Sequence, residues 1–226
     1  MTTATVKLTT YGPISAVFVY FYNCISCSYL RHLSARDAPR SCPLVAESLQ
    51  LHPGRLAPVL TSLDPARLWM ACFGLVPHWA EPKLARMTYN ARTETVATKP
   101  SFRSAWRQAQ LALVPMQSFF EPSYESGKAV KHRIGRRDGN LFWAAALWER
   151  RLDDAGPTRW SFTLLTINAR HHPVMQRMHG PEDEKRSIVI VPDEDKVTWL
   201  NAKAESDRRS MLRLFDEKAF EALPAH

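Results

Sequence analysis

The chain has 226 residues, long enough to bury a hydrophobic core without help from disulfides or metals, and most simply forms one domain. Its 30 Lys and Arg against 22 Asp and Glu leave a net charge of +8 and a pI of about 9.5, which favours a polyanion such as nucleic acid as partner. The four cysteines, Cys24, Cys27, Cys42 and Cys72, all fall in the first third, which excludes a disulfide-dense scaffold and indicates a reducing, cytoplasmic compartment.

No residue between Lys7 and Arg31 is charged, and GPISAVFVYFYNCIS (12–26) is apolar. Pro13 and Asn23 interrupt it and no small-residue cleavage pattern follows, so it reads as a buried strand or as sequence foreign to the domain, with no membrane span. Cys24 and Cys27 form a C-x-x-C, but Cys42 and Cys72 are poorly spaced to complete a zinc site, and neither a metal nor a cofactor is expected. A helix is expected from Pro100 and Ser101, with Phe102, Trp106 and Ala109 at helical spacing. Strands are expected at LALV (111–114), LFWAAALW (141–148), SFTLLTI (161–167) and SIVIV (187–191). Asp138-Gly139 reads as a hairpin turn joining KHRIGRR to the strand after it, and Asp153 to Pro157 separates the next antiparallel pair. Further helices are expected from Pro192 and Asp193 through Leu200 and from Asp207 to Leu223. The fold class is α+β, a mainly antiparallel, barrel-like β core with flanking helices.

Four segments, FGLVPHWA (73–80), NARTETVATKPSFR (90–103), LVPMQSFFEP (113–122) and TINARHHPVMQRMHGPEDEKRSIVIVP (166–192), together with GRLAPVL (54–60), resemble in order and content the SRAP family of SOS response-associated peptidases, or abasic-site-processing proteins. The resemblance implies an SRAP domain over 29–226, preceded by an atypical segment, 1–28. It implies a cytoplasmic monomer, associated with the nucleoid when DNA is damaged, that binds single-stranded DNA and captures the ring-opened aldehyde of an abasic site. In the family an amino-terminal cysteine supplies an amine for a Schiff base and a thiol that closes a thiazolidine, leaving a covalent DNA-protein crosslink. The terminus also carries a self-cleaving peptidase activity. The chemistry suits a terminus, because an α-amine titrates near about 8 and a lysine near about 10.4, so far more α-amine is neutral at pH 7.

By that resemblance Asn90, in N-A-R, orients the amine and the sugar oxygens, although taken alone it also reads as an Asx turn. Glu121, flanked by Phe119, Phe120 and Pro122, is the acid and base for ring opening and imine formation, since partial desolvation raises a carboxyl pKa; the alternative is a surface ion pair. His179 passes protons to the sugar, with His171 and His172 as competitors. Arg92 contacts a phosphate and Trp79 stacks near the lesion, while Lys99, Arg103, Pro58 and Thr166 line the same groove. Core packing is the alternative for Trp79, and a solvated surface for the cations. KAVKHRIGRR (128–137) extends the groove or protects a sheet edge, Glu94 and Thr95 brace the loop, and Asp183 and Glu184 either repel phosphate or pair with Arg186.

The chain departs from the family at its start, which reads MTTATVKLTT where the family has a cysteine after the initiator methionine. Three accounts are open: the segment to about Ser28 is foreign to the domain; processing ahead of Cys24 or Cys27 exposes a terminal thiol; or Thr2 supplies the amine, with only a hydroxyl for ring closure. The chemical reading therefore stands beside a noncovalent one, a module that binds single-stranded or abasic DNA through the same groove. A third, a hydrolase built on Glu121 and His179, lacks a Ser or Cys with an adjacent base.

Overall fold

The computed structural model describes residues 20–21, 49–152 and 159–225. Strand β9 (Phe142–Arg151) explains the architecture best. Its Phe142, Ala144, Ala146 and Trp148 enter one core, while the alternate Trp143, Ala145 and Leu147 enter another. A strand that is apolar on both faces needs a covering layer on each side.

The inner layer is a closed barrel. Strands β3 (Leu56–Thr61), β4 (Asp64–Phe73), β6 (Leu111–Met116), β9 and β10 (Arg159–Asn168) run in the order β10-β4-β3-β6-β9, and β9 pairs back onto β10. The β10–β4 contact is parallel and the others antiparallel. Five strands leave a narrow lumen, and the inward Ala57, Ala71, Ala112, Ala144 and Ala146 fit it, with Val59, Phe73 and Phe162 filling the remaining space. Trp160 stacks on Trp69 and packs at a tilt against Trp148, with Arg67 over the Trp69 ring and Arg150 over the Trp160 ring. The outer core lies between the barrel and helices α1 (Arg103–Arg107) and α2 (Lys196–Asn201), anchored by Trp106 and Trp199.

A second, antiparallel sheet has the order β13-β8-β7-β1-β2 and is formed by β1 (Tyr20–Phe21), β2 (Leu49–Gln50), β7 (Ser118–Ser123), β8 (Val130–Arg136) and β13 (Phe220–Pro224). Two residues of the amino-terminal apolar run thus form a strand, which pairs with Leu49–Gln50 and with Ser118. Phe119 and Ile134 of this sheet join the barrel's inner core.

Three expectations are corrected. Asp138-Gly139 does reverse the chain, with Gly139 at φ 72° and Asp138 accepting from the Asn140 amide, yet β8 and β9 do not pair. One edge of β9 is already taken by β6 and the other by β10 and Ile190–Val191, so the turn carries the chain from one sheet to the other. The expected helix from Asp207 to Leu223 is a short α3 (Glu205–Ser210) followed by turns and β13. Phe215 and Phe220 pack ring to ring at 4.6 Å, whereas five positions apart on a helix they would face different directions. Within KAVKHRIGRR, β8 is flanked by β7 and β13 and protects no edge.

Candidate active site

Strand β10 is the spine of the site. On one side Leu164–Thr166 pairs in parallel with β5 (Asn90–Arg92); on the other, Thr166–Asn168 pairs with β11 (Arg186–Ile188). Asn90 and Arg186 are thereby fixed on the two strands that flank β10. Glu121 comes from the second sheet, on β7, and one bridge brings the fourth group to it. Ser123 pairs with Met178, and the His179 amide donates to the Pro122 carbonyl at 2.6 Å. Asn90, Glu121, Thr166, His179, Arg186, Ser187 and Ile188 then line one cleft, with about 10 Å³ of water-accessible space.

Its floor is dry. Glu121 is 4% exposed and His179 5%. Burial pushes the Glu121 carboxyl well above its ordinary pKa of 4.5, which favours its protonated form. The imidazole of His179 is pushed the other way, chiefly by burial, with the charges of Lys185 and Arg186 adding to the effect and the Arg186 carbonyl and Asp183 opposing it. His179 Nε2 lies 3.1 Å from the Arg186 carbonyl, an acceptor only, so Nε2 carries the hydrogen and Nδ1 presents a lone pair. That lone pair faces Glu121 Oε2 at 3.5 Å, slightly long for a hydrogen bond. A protonated acid beside an unprotonated base can exchange a proton through a small closure of this gap.

Two groups in the cleft have unmet bonding capacity. Neither side-chain atom of Asn90 has a hydrogen-bond partner among the described residues, and neither does Glu121 Oε2. Burying an unpartnered polar group costs about 1–3 kcal/mol, so their convergence marks a place prepared for something that bonds there. His179 adds strain, since its φ of 62° is left-handed.

Arg186 is the brace. It is 2% exposed and donates to the Thr166 carbonyl at 2.7 Å, to Thr166 Oγ1 at 3.2 Å, to Glu94 at 2.8 Å and to Glu184 at 2.5 Å. Glu94 also accepts from the Asn168 amide, which makes it a loop brace. Thr166 is 3% exposed and spends its hydroxyl on Arg186 and the Ala91 carbonyl.

The remaining residues singled out in the sequence lie at the rim or beyond it. Arg92 pairs with Glu184 at 2.9 Å, both side chains being well exposed. Trp79 is 59% exposed, which sets aside core packing. Pro58 is half-buried on β3, and Lys99 and Arg103 are exposed at the start of the α1 region, outside the cleft lining. Among the competing histidines, His172 is buried and bonded to the Phe215 carbonyl and the Met175 amide, and His171 is exposed. Thr2, Cys24 and Cys27 lie outside the described residues. Pairing of Arg186 with Glu184 is one of the two readings the sequence leaves open, and the structure shows it; the bonds of Arg186 to Thr166 and Glu94 join residues far apart in the chain and have no local sequence signal.

Residues 27–226 match the sequence model of the family described as SOS response associated peptidase (SRAP). The chain is 32% identical over 160 residues to abasic site processing protein YoqW of Bacillus subtilis, covering 69% of this chain and 68% of that one. It is 34% identical over 139 residues to abasic site processing protein YobE of the same organism, covering 61% and 60%. Its fold is similar to a crystal structure of a Bordetella bronchiseptica protein, with TM-score 0.76 and 28% identity over 92% of this chain and 99% of the other. A Bacteroides thetaiotaomicron protein, at TM-score 0.68 and 24% identity over 78% and 77%, shares the fold. With the family's model spanning most of the chain, and the barrel, the second sheet and the cleft between them in place, this protein belongs to the SRAP family.

Proposed function

We propose that this protein processes abasic sites in single-stranded DNA by forming a covalent crosslink with the ring-opened sugar. The observation that carries the reading is the convergence in one cleft of an Asn90 amide without a partner among the described residues, a Glu121 carboxyl whose protonated form burial favours and a His179 imidazole whose neutral form burial favours. Two relatives that are named abasic site processing proteins support it.

Glu121 gives its proton to the hydroxyl that leaves as water when an amine condenses with the aldehyde, and the resulting carboxylate takes a proton back from the incoming nucleophile. His179, its Nδ1 free to accept, moves protons on the sugar, and Asn90 donates to and accepts from the sugar oxygen and the amine. The terminal amine–thiol comes from processing ahead of Cys24 or Cys27, and the same step is the family's self-cleavage. Thr2 would give an imine without ring closure. The strand enters along the rim, where Trp79 stacks on a base, Arg92 takes a phosphate, and Lys99, Arg103 and Pro58 continue the track. The protein acts as a monomer on exposed single strands in the cytoplasm.

The test is a denaturing gel of purified protein with a single-stranded oligonucleotide carrying one abasic site, run with and without borohydride, alongside the intact mass of the protein. A band surviving without reductant, on protein whose mass starts at Cys24 or Cys27, fits the amino-thiol. A band only after reduction fits Thr2. No surviving band in either lane, with the oligonucleotide still bound under native conditions, leaves the noncovalent binding module.

A further inference from the structure

Lys185 has no assigned part in this chemistry, yet its contacts are unusual. Its Nζ donates to three consecutive carbonyls, of Met178 at 2.8 Å, His179 at 3.1 Å and Gly180 at 2.6 Å. An ammonium has three protons, and all three are used. Successive carbonyls converge on one point only where the chain turns sharply, and here the turn is made by His179 at φ 62°, a conformation that a side chain disfavours. The far end of the lysine is fixed as well, since its carbonyl accepts from the Ala169 amide at 2.8 Å and the next residue begins β11. Asp183 closes the loop by accepting from the Gly180 amide at 3.0 Å. A Cβ at position 180 would lie 2.7 Å from that carboxylate, so a side chain there would push Asp183 out of this bond.

We propose that Lys185 is a positioning residue for His179: its ammonium clamps the three carbonyls of the left-handed turn and so aims Nδ1 at Glu121. This role rests on the reading of His179 as a proton carrier. The groups that act on the imidazole are Glu121 from β7, Asp183 and Lys185 from the loop, and Arg186 from β11. Of these, Lys185 disfavours the charged imidazole, so removing it relaxes the turn and also makes His179 easier to protonate.

The test has two arms on Lys185→Met. In the free protein, nitrogen NMR of the His179 ring in the wild type should show one neutral tautomer with the hydrogen on Nε2; in the variant that tautomer should mix with its alternative and the titration midpoint should rise. In the reaction with an abasic oligonucleotide, the rate at saturating DNA should fall about 10-fold, with half-saturation unchanged and the acid limb of the pH profile moved upward. Lys185→Gln, which keeps two donors without the charge, serves if the methionine variant does not fold, and should restore part of the tautomer preference. A folded variant of either kind whose His179 tautomer and midpoint match the wild type overturns the proposal. If wild-type protein forms no adduct, the proposed function fails, and the NMR arm still decides the role of Lys185.

Discussion

The floor and the rim of the cleft are built on opposite rules. On the floor, Arg186 is buried and saturated by Glu94, Glu184 and two oxygens of Thr166, and Glu121 and His179 sit beside it almost without water. On the rim, Arg92 holds Glu184 in a surface ion pair, and Trp79 stands mostly in solvent. A dry, over-determined floor can set pKa values and geometry; an exposed rim can only attract and release a strand. Substitutions on the floor should therefore change rate or stability, and substitutions on the rim should change affinity.

The largest effect is expected from His179→Ala, a loss of about 100-fold or more in the crosslinking rate at saturating oligonucleotide, read by quenched time courses on denaturing gels. Arg186→Ala should come next, at about 3 kcal/mol of stability in urea unfolding, because it empties a buried site and removes the charged hydrogen bonds to Thr166, Glu94 and Glu184. For Trp79→Ala the expectation is about 1–2 kcal/mol of affinity for a single-stranded oligonucleotide, measured by fluorescence anisotropy, with no change in rate at saturation.

The Glu121 carboxyl gives the comparison a pH signature. Its folded pKa is raised, so above the unfolded value of about 4.5 the folded state keeps a proton that the unfolded state releases. Wild-type stability should then fall relative to Glu121→Gln as pH rises from 4.5 towards the folded value, by up to about 1.4 kcal/mol per unit, in urea titrations at several pH values. Smallest should be Arg92→Ala, which removes about one unit from the slope of log affinity against log salt and costs under about 1 kcal/mol, because Glu184 already screens the arginine. A large rate loss with Arg92→Ala would erase the distinction between floor and rim.

Much of the fold was legible where periodicity is strong. The segments at 111–114, 141–148 and 161–167 form β6, β9 and β10, since β-branched and aromatic runs between turns have few other solutions. What escaped was pairing. The Asp138-Gly139 turn is a local property, but which strand accepts β8 depends on edges already taken elsewhere in the barrel. The carboxy-terminal helix was misread because Phe215 and Phe220 answer to the aromatic cluster around Phe119 and Phe142 rather than to their own spacing. At the site, Asn90, Glu121 and His179 stood out through their motifs. Lys185 did not, because its partners are three carbonyls that only the folded turn brings together.

The most direct measurement is the single-turnover crosslinking rate as a function of abasic oligonucleotide concentration, for wild type, Glu121→Gln and Trp79→Ala. The account predicts that Glu121→Gln lowers the limiting rate about 100-fold at unchanged half-saturation, and that Trp79→Ala raises the half-saturating concentration at an unchanged limiting rate. Equal limiting rates for wild type and Glu121→Gln, with only half-saturation altered, would contradict it.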